Sequence, residues 1–397
     1  SASTEQPPPE WADVALRRAV ASRAVPGVPD DPLPVAAPDA VERRRVEQLQ
    51  KVRERGVVAV LDPIHGGLAW LALHQSADGS FDDRGASARC RELGHDDCLR
   101  GSTSRRFTVG ATALAVLAFL DFRDQDARGQ FEPNLTAGVR WLQARVAEDG
   151  ALGTAGYERG IALLALGQAA AASGDPALRD AVERCWAHTA LRAGPNGGYR
   201  YTAGPEPGDL SVTGWYVQAL EVARDAGLAL PDGLEHRLLQ FTRTCWRGDG
   251  RFSYMSGAAP RASLASVGML TLSILGAAGD PALQAAWTQE LEAVPDEPVL
   301  NLYRLYYDVR VDILLRGAPV EARRDALLEF AAAWQAREGP SSGMFGEHAA
   351  ATAAAEEEGR KRKVKRSVLR EAWVHRGGPT VFTAFSVLTL EHALYRR

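Results

Sequence analysis

The feature that most restricts what this chain can fold into is a set of helix-length segments with almost no polar face. They lie at 107–120 (FTVGATALAVLAFL), 157–170, 211–223, 262–275, 302–315 and 380–394. A helix without a wet side has to be buried all round. Between them run amphipathic segments at 66–75, 135–146, 176–191, 233–246, 281–291 and 319–334, with apolar residues at helical spacing opposite a charged face. The two classes alternate, six of each, with a period of roughly 40–55 residues, which is the sign of a helical array. An open solenoid needs polar caps on its terminal repeats, yet the last buried segment is as apolar as the middle ones. The pattern therefore predicts an all-α, closed (α/α)6 toroid. Its buried helices form an inner ring and its amphipathic helices an outer ring, and the first outer helix meets the last inner one.

The turns from outer to inner helix carry a second signature. They read HQSADGSFDD (74–83), AEDGALGTAGY (147–157), GPNGGYRYTAG (194–204), RGDGRFSYMSG (247–257) and EGPSSGMFGEH (338–348). Each pairs Gly with polar neighbours and most add an aromatic. Glycine permits a positive φ in a tight turn, and the aromatic is expected to tuck back between outer helices. Residues 1–56 read separately, as a Pro-rich arm followed by a charged helix, with the toroid over 57–397 and a charged insertion at 347–379. Within that insertion Arg360, Lys361, Arg362, Lys363, Lys365 and Arg366 form a run of six cations. It suits an anionic or protein partner or contact with a membrane surface; a solvated loop neutralised by Glu356–Glu358 is the other reading.

A net charge of −4 gives no reason to expect a nucleic-acid partner, and no apolar run reaches the length that spans a bilayer. The chain opens SASTEQPPPE without methionine, so an upstream signal or anchor is expected to have been removed. Four cysteines are too few for a disulfide scaffold. Cys90 and Cys98 bracket the polar loop RELGHDD; if they pair, the protein is exported, periplasmic or membrane-anchored, and otherwise cytoplasmic. Cys185 and Cys245 each precede a Trp at the same place in successive repeats and read as packing residues.

Gly67-Leu68-Ala69-Trp70-Leu71, followed by Gln75 and then Asp78-Gly79-Ser80-Phe81, resembles the QW motif of the prenyltransferase/squalene-cyclase repeat. Gly138-Val139-Arg140-Trp141-Leu142 with Asp149-Gly150 is a second, weaker copy. The resemblance covers roughly residues 60–395, and the phrase SVTGW at 211–215 resembles a bacterial subgroup of the superfamily. It implies the same toroid. The cyclase reaction would need an Asp-x-Asp-Asp-Thr-Ala motif at an inner-helix start. Asp209 matches the first Asp and Thr213 the Thr, but Ser211 and Val212 stand where the middle and last Asp belong. The prenyltransferase reaction would need zinc held by Asp, Cys and His, and the residues for it are not in place.

Acids near the predicted rim are Asp82, Asp83, Glu158 and Asp209. The expected funnel-rim ligand contacts are Asp209, Thr213, Trp215, Tyr157, Arg159, Tyr303, Arg304, Tyr306 and Tyr307, with Tyr216 and Arg261 nearby. The same aromatics also suit plain filling of the funnel. The reading that follows is a non-catalytic or degenerate terpene-cyclase-like toroid without a cofactor or metal. It would bind a hydrophobic or anionic small molecule or a protein partner through its funnel and rim. The alternative is an enzyme acting on an isoprenoid or lipid, or on a carbohydrate, in the same funnel. A cleft with facing carboxylates about 5–10 Å apart favours the carbohydrate.

Overall fold

The computed structural model describes residues 58–92, 107–292 with gaps at 127–128, 153–155, 203–205 and 249, 302–316, parts of 327–345, and 378–395. The arm at 1–56, Cys98 and the basic run 360–366 lie outside these residues. Among the described residues there are twelve α-helices and no strand longer than an isolated bridge.

The inner ring consists of α3 (Thr108–Phe122), α5 (Gly156–Ser173), α7 (Leu210–Asp225), α9 (Ala265–Leu272), α11 (Leu302–Arg316) and α12 (Gly378–Tyr395). Each packs on the next, and α12 packs on α3, which closes the ring. These are the segments without a polar face, and burial confirms why they are so: every residue of α3 from Gly110 to Phe122 is buried, as is every residue of α7 from Leu210 to Leu220. The outer ring contains α1 (Val58–His74), α4 (Glu132–Gln143), α6 (Pro176–Ala190), α8 (Leu234–Cys245) and α10 (Pro281–Glu292). Pieces of a sixth outer segment lie at 327–334. The first outer helix, α1, packs on the last inner one, α12, as the alternation predicts. A short helix, α2 (Asp83–Glu92), was not expected; it fills the first turn and packs on α1 and α12.

The turns join the rings by one repeated device. The backbone N–H of the turn aromatic donates to the hydroxyl of a buried threonine in the first turns of the inner helix. Phe81 N donates to Thr112 Oγ1 at 2.9 Å, Tyr199 N to Thr213 Oγ1 at 2.9 Å, and Phe345 N to Thr383 Oγ1 at 3.0 Å. All six residues are at most 2% exposed, so neither partner has water as an alternative. Thr112 and Thr213 also donate back to the carbonyls of Thr108 and Asp209, both at 2.7 Å. The turn glycine faces the other way. Gly79 (φ 91°) and Gly150 (φ 79°) lie so close to the next outer helix that an added Cβ would sit 2.6 Å from Ala137 O and 2.1 Å from Arg184 O. Glycine is required there both for its φ and for the absence of a side chain. Side chains of the QW-like motif complete the joint. Gln75 Nε2 donates to Gly79 O and to Asn134 O on α4 (2.8 and 3.0 Å), and Trp141 Nε1 donates to Asp78 Oδ2 at 2.9 Å.

Replacing Thr213 by Val keeps the shape but leaves Tyr199 N–H buried without an acceptor, a cost of about 1–3 kcal/mol. Urea unfolding is expected to show that loss for Thr213→Val and to show most of it recovered in Thr213→Ser. A valine variant as stable as the parent would remove this contact from the account of the fold.

Candidate functional site

The first N–H groups of a helix have no partner within it, and the helix dipole makes that end attractive to anions. In a ring of buried helices those ends all reach one rim, and here carboxylates meet them. At the start of α3, Asp82 Oδ2 accepts from Thr108 Oγ1 at 2.8 Å, while Glu158, which belongs to α5, accepts from Val109 N (3.1 Å) and Gly110 N (3.3 Å), both through Oε2. Asp82 also caps α2, accepting from Gly85 N at 2.7 Å. Asp83 reaches across to the start of α12 and accepts from Thr380 N at 3.0 Å. Contacts on consecutive residues of one helix start bring the carboxyls of Asp82 and Glu158 within about 10 Å of each other. Glu158 is buried, and desolvation raises its pKa above the usual carboxylate range, against the pull of its two N–H donors.

The start of α7 holds a second polar group. Asp209 Oδ1 accepts from Val212 N at 2.9 Å and from Ser211 Oγ at 2.7 Å, and Tyr157 OH donates to Ser211 Oγ at 2.8 Å. Asp209 is fully buried, and its Oδ2 has no hydrogen bond of normal geometry. Burial raises its pKa; the nearby hydroxyls of Ser211 and Tyr254 act in the opposite sense. Asp209 is therefore the N-cap of α7.

The centre of the ring is filled rather than open. Trp215 stacks on Tyr306 (centroids 5.5 Å apart), and Tyr303, Tyr307 and Phe385 pack around them. Trp215 and Tyr307 have no exposed surface and Tyr306 has 1%. Of the expected ligand contacts, Trp215, Tyr303, Tyr306 and Tyr307 lie buried between inner helices, and Thr213 is used in the turn contact. Tyr216 is likewise buried, its hydroxyl donating to Gly156 O at 3.0 Å. Arg159 is held at the rim wall by Leu152 O (3.0 Å), and Arg304 pairs with Asp308 at 3.4 Å. Beneath the rings Gln218 accepts from Tyr306 OH and from Arg310, which also pairs with Glu221 at 2.7 Å. These buried bonds tie α7 to α11, and no sequence pattern announced them.

Cys90 is buried on α2 with its sulfur 3.2 Å from His74 Nε2. Its expected partner, Cys98, lies outside the described residues. Cys185 and Cys245 are buried, and desolvation pushes their thiols up to about 12 and about 11. Sequence reasoning passed over Tyr201, which stands 44% exposed at this rim. No pattern in Tyr199-Arg200-Tyr201 marks it, because the bend at Tyr201 that turns the ring out is set by the fold.

The molecule is thus a closed (α/α)6 toroid with a carboxylate-rich rim. The sequence matches no known family profile and no curated protein. Solved structures with this fold do match. An α-1,6-mannanase, GH76A of Salegentibacter sp., superposes with a TM-score of 0.54 at 9% identity over 88% of this chain and 98% of the other. That structure is an inactive variant with two consecutive aspartates replaced by asparagine, in complex with α-1,6-mannotriose. Another structure of the same mannanase gives 0.50 at 10% identity over 88% and 98%. An α-amylase from Clostridium perfringens gives 0.50 at 9% identity over 84% and 98%. At this identity the likeness shows the fold. It also corrects the expectation of a non-catalytic, terpene-cyclase-like binding toroid, since these matching toroids are glycosidases.

Because Asp209 is raised in the folded state, the fold holds that proton more tightly than the unfolded chain does. The stability this contributes is full below the ordinary carboxylate pKa of about 4 and is lost as pH rises through the raised value. Asparagine keeps the cap but does not titrate. Melting temperatures measured from pH 4 to pH 7 are therefore expected to fall further, with rising pH, in the parent than in Asp209→Asn.

Proposed function

We propose that the protein is a carbohydrate-active toroid that cleaves glycosidic bonds at its rim. The observation that carries this reading is the pair of carboxylates, Asp82 and Glu158, held on consecutive residues of one inner-helix start. Glycoside hydrolysis uses two carboxyl groups roughly 5–10 Å apart, one of them a protonated acid. Glu158 has the character of that acid. Burial raises its pKa, and its two backbone bonds go to Oε2, leaving Oε1 to carry a proton. Asp82 is the second carboxylate, fixed by Thr108 and Gly85. As the glycosidic C–O bond breaks, the leaving oxygen takes the Glu158 proton. A water oxygen adds to the anomeric carbon and gives its proton to Asp82. Asp83 follows Asp82 directly, and the mannanase was made inactive by changing two consecutive aspartates. The ligand is then an oligosaccharide, in place of the hydrophobic or anionic molecule expected from sequence. The QW-like turns serve in this reading as structural joints.

The test is reducing-end release from a panel that includes α-1,6-mannotriose and maltotriose. Turnover by the parent is expected, with Glu158→Gln and Asp82→Asn each lowering kcat by about 10²–10⁴-fold while circular dichroism stays that of the parent. No turnover across the panel, or turnover that both variants retain, would overturn the proposal.

A further inference from the structure

The segment over residues 196–202 is built closely onto the start of α5. Gly156 N, at the first residue of α5, donates to Tyr201 O at 2.8 Å, and a Cβ on Gly156 would lie 1.9 Å from Arg200 O. Within the loop, Asn196 Oδ1 accepts from Gly198 N (3.2 Å) and Gly208 N (2.8 Å), and Asp209 N donates to Tyr199 O at 2.8 Å. The backbone at 199–201 is therefore pinned along its length. Tyr199 stacks on Tyr216 in the core (3.9 Å), while Tyr201, two residues on at a bend in the chain, is carried outward.

Tyr201 is an exposed ring on a rigid bed. Its underside meets the edge of Tyr157, centroids 5.1 Å apart at 67°. Tyr157 is fixed in turn by Ser211 and Asp209. The hydroxyl of Tyr201 interacts with that of Tyr254, and Arg261 lies over the Tyr254 ring, 5.3 Å from its centroid. Arg200 pairs with Glu206 at 2.9 Å, both side chains partly or largely exposed. An exposed aromatic face, with an Arg–Glu ion pair on the same segment, suits a pyranose ring. The ring's C–H face packs on the aromatic, and its adjacent hydroxyls pair with the charged groups in bidentate fashion.

We propose that Tyr201, with Arg200 and Glu206 beside it, forms a sugar-binding subsite next to the carboxylate pair, taking one pyranose unit of an oligosaccharide. The choice of ligand rests on the carbohydrate reading above. The subsite and the acid share the start of α5: Gly156 holds the backbone of Tyr201, and Glu158, from the same turn, reaches the start of α3.

Saturation-transfer NMR and titration calorimetry with α-1,6-mannotriose and maltotriose test the inference without requiring turnover. The Glu158→Gln protein, in which hydrolysis is blocked, is expected to bind at least one of the two. Adding Tyr201→Ala is expected to weaken binding at least 10-fold, and adding Tyr201→Phe to change it less than 3-fold. Gly156→Ala, which displaces the loop without touching the ring, is expected to weaken binding as alanine does. Binding that survives Tyr201→Ala, or no binding of either sugar, would overturn the subsite. Binding lost with Tyr201→Ala in a protein that hydrolyses nothing would keep the subsite and overturn the hydrolytic reading alone.

Discussion

Everything in this fold depends on satisfying backbone groups where no water can reach. Inner helices with no wet face must enter the ring through turns that are themselves buried. Each turn brings an N–H that folding removes from water. The hydroxyls of Thr112, Thr213 and Thr383 meet that need at three positions around the ring, by the same geometry each time. An orphaned N–H at any of them would cost about 1–3 kcal/mol, a large share of the margin by which a domain is stable. The turn glycines, pressed against the next outer helix, make the same joint from the other side.

The constraint also gathers the chemistry. Six helix starts at one rim concentrate unpaired donors and positive dipole ends, and carboxylates are the natural partners. Some partners come from the helix itself, as with Asp209 on α7. Others come from a neighbour, as with Glu158 on α3 and Asp83 on α12. Glu158 and Asp209 each cap through one oxygen in a dry setting, so each is anchored and has its proton affinity raised. Those are the properties an acid catalyst needs.

Much of the architecture was legible in one dimension. A helix that is apolar all round can only be buried, so alternation of the two segment types already implies two rings. The apolar last segment implies closure. Asp209 and Ser211 both stand where a cap belongs, before Val212, and the fold gives the cap to Asp209. The short helix α2 was not readable, because Asp83–Glu92 is polar and has no apolar periodicity. The role of the central aromatics was not readable either. Trp215, Tyr306 and Tyr307 at inner-helix starts suit a lined funnel and a filled one equally well; the radius of the ring decides between them, and that radius comes from how closely six helices pack.

The sequence by itself determined that this is an all-α toroid with glycine turns and an acidic rim, because periodicity and burial are local properties of each segment. Only the tertiary structure decided that Glu158 on one helix caps another, that Asp82 stands beside it, that the centre is packed with rings, and that Tyr201 is turned out from the rim. Those facts depend on distances between residues tens of positions apart. Such distances arise only when the ring closes and each helix start is brought against its neighbour.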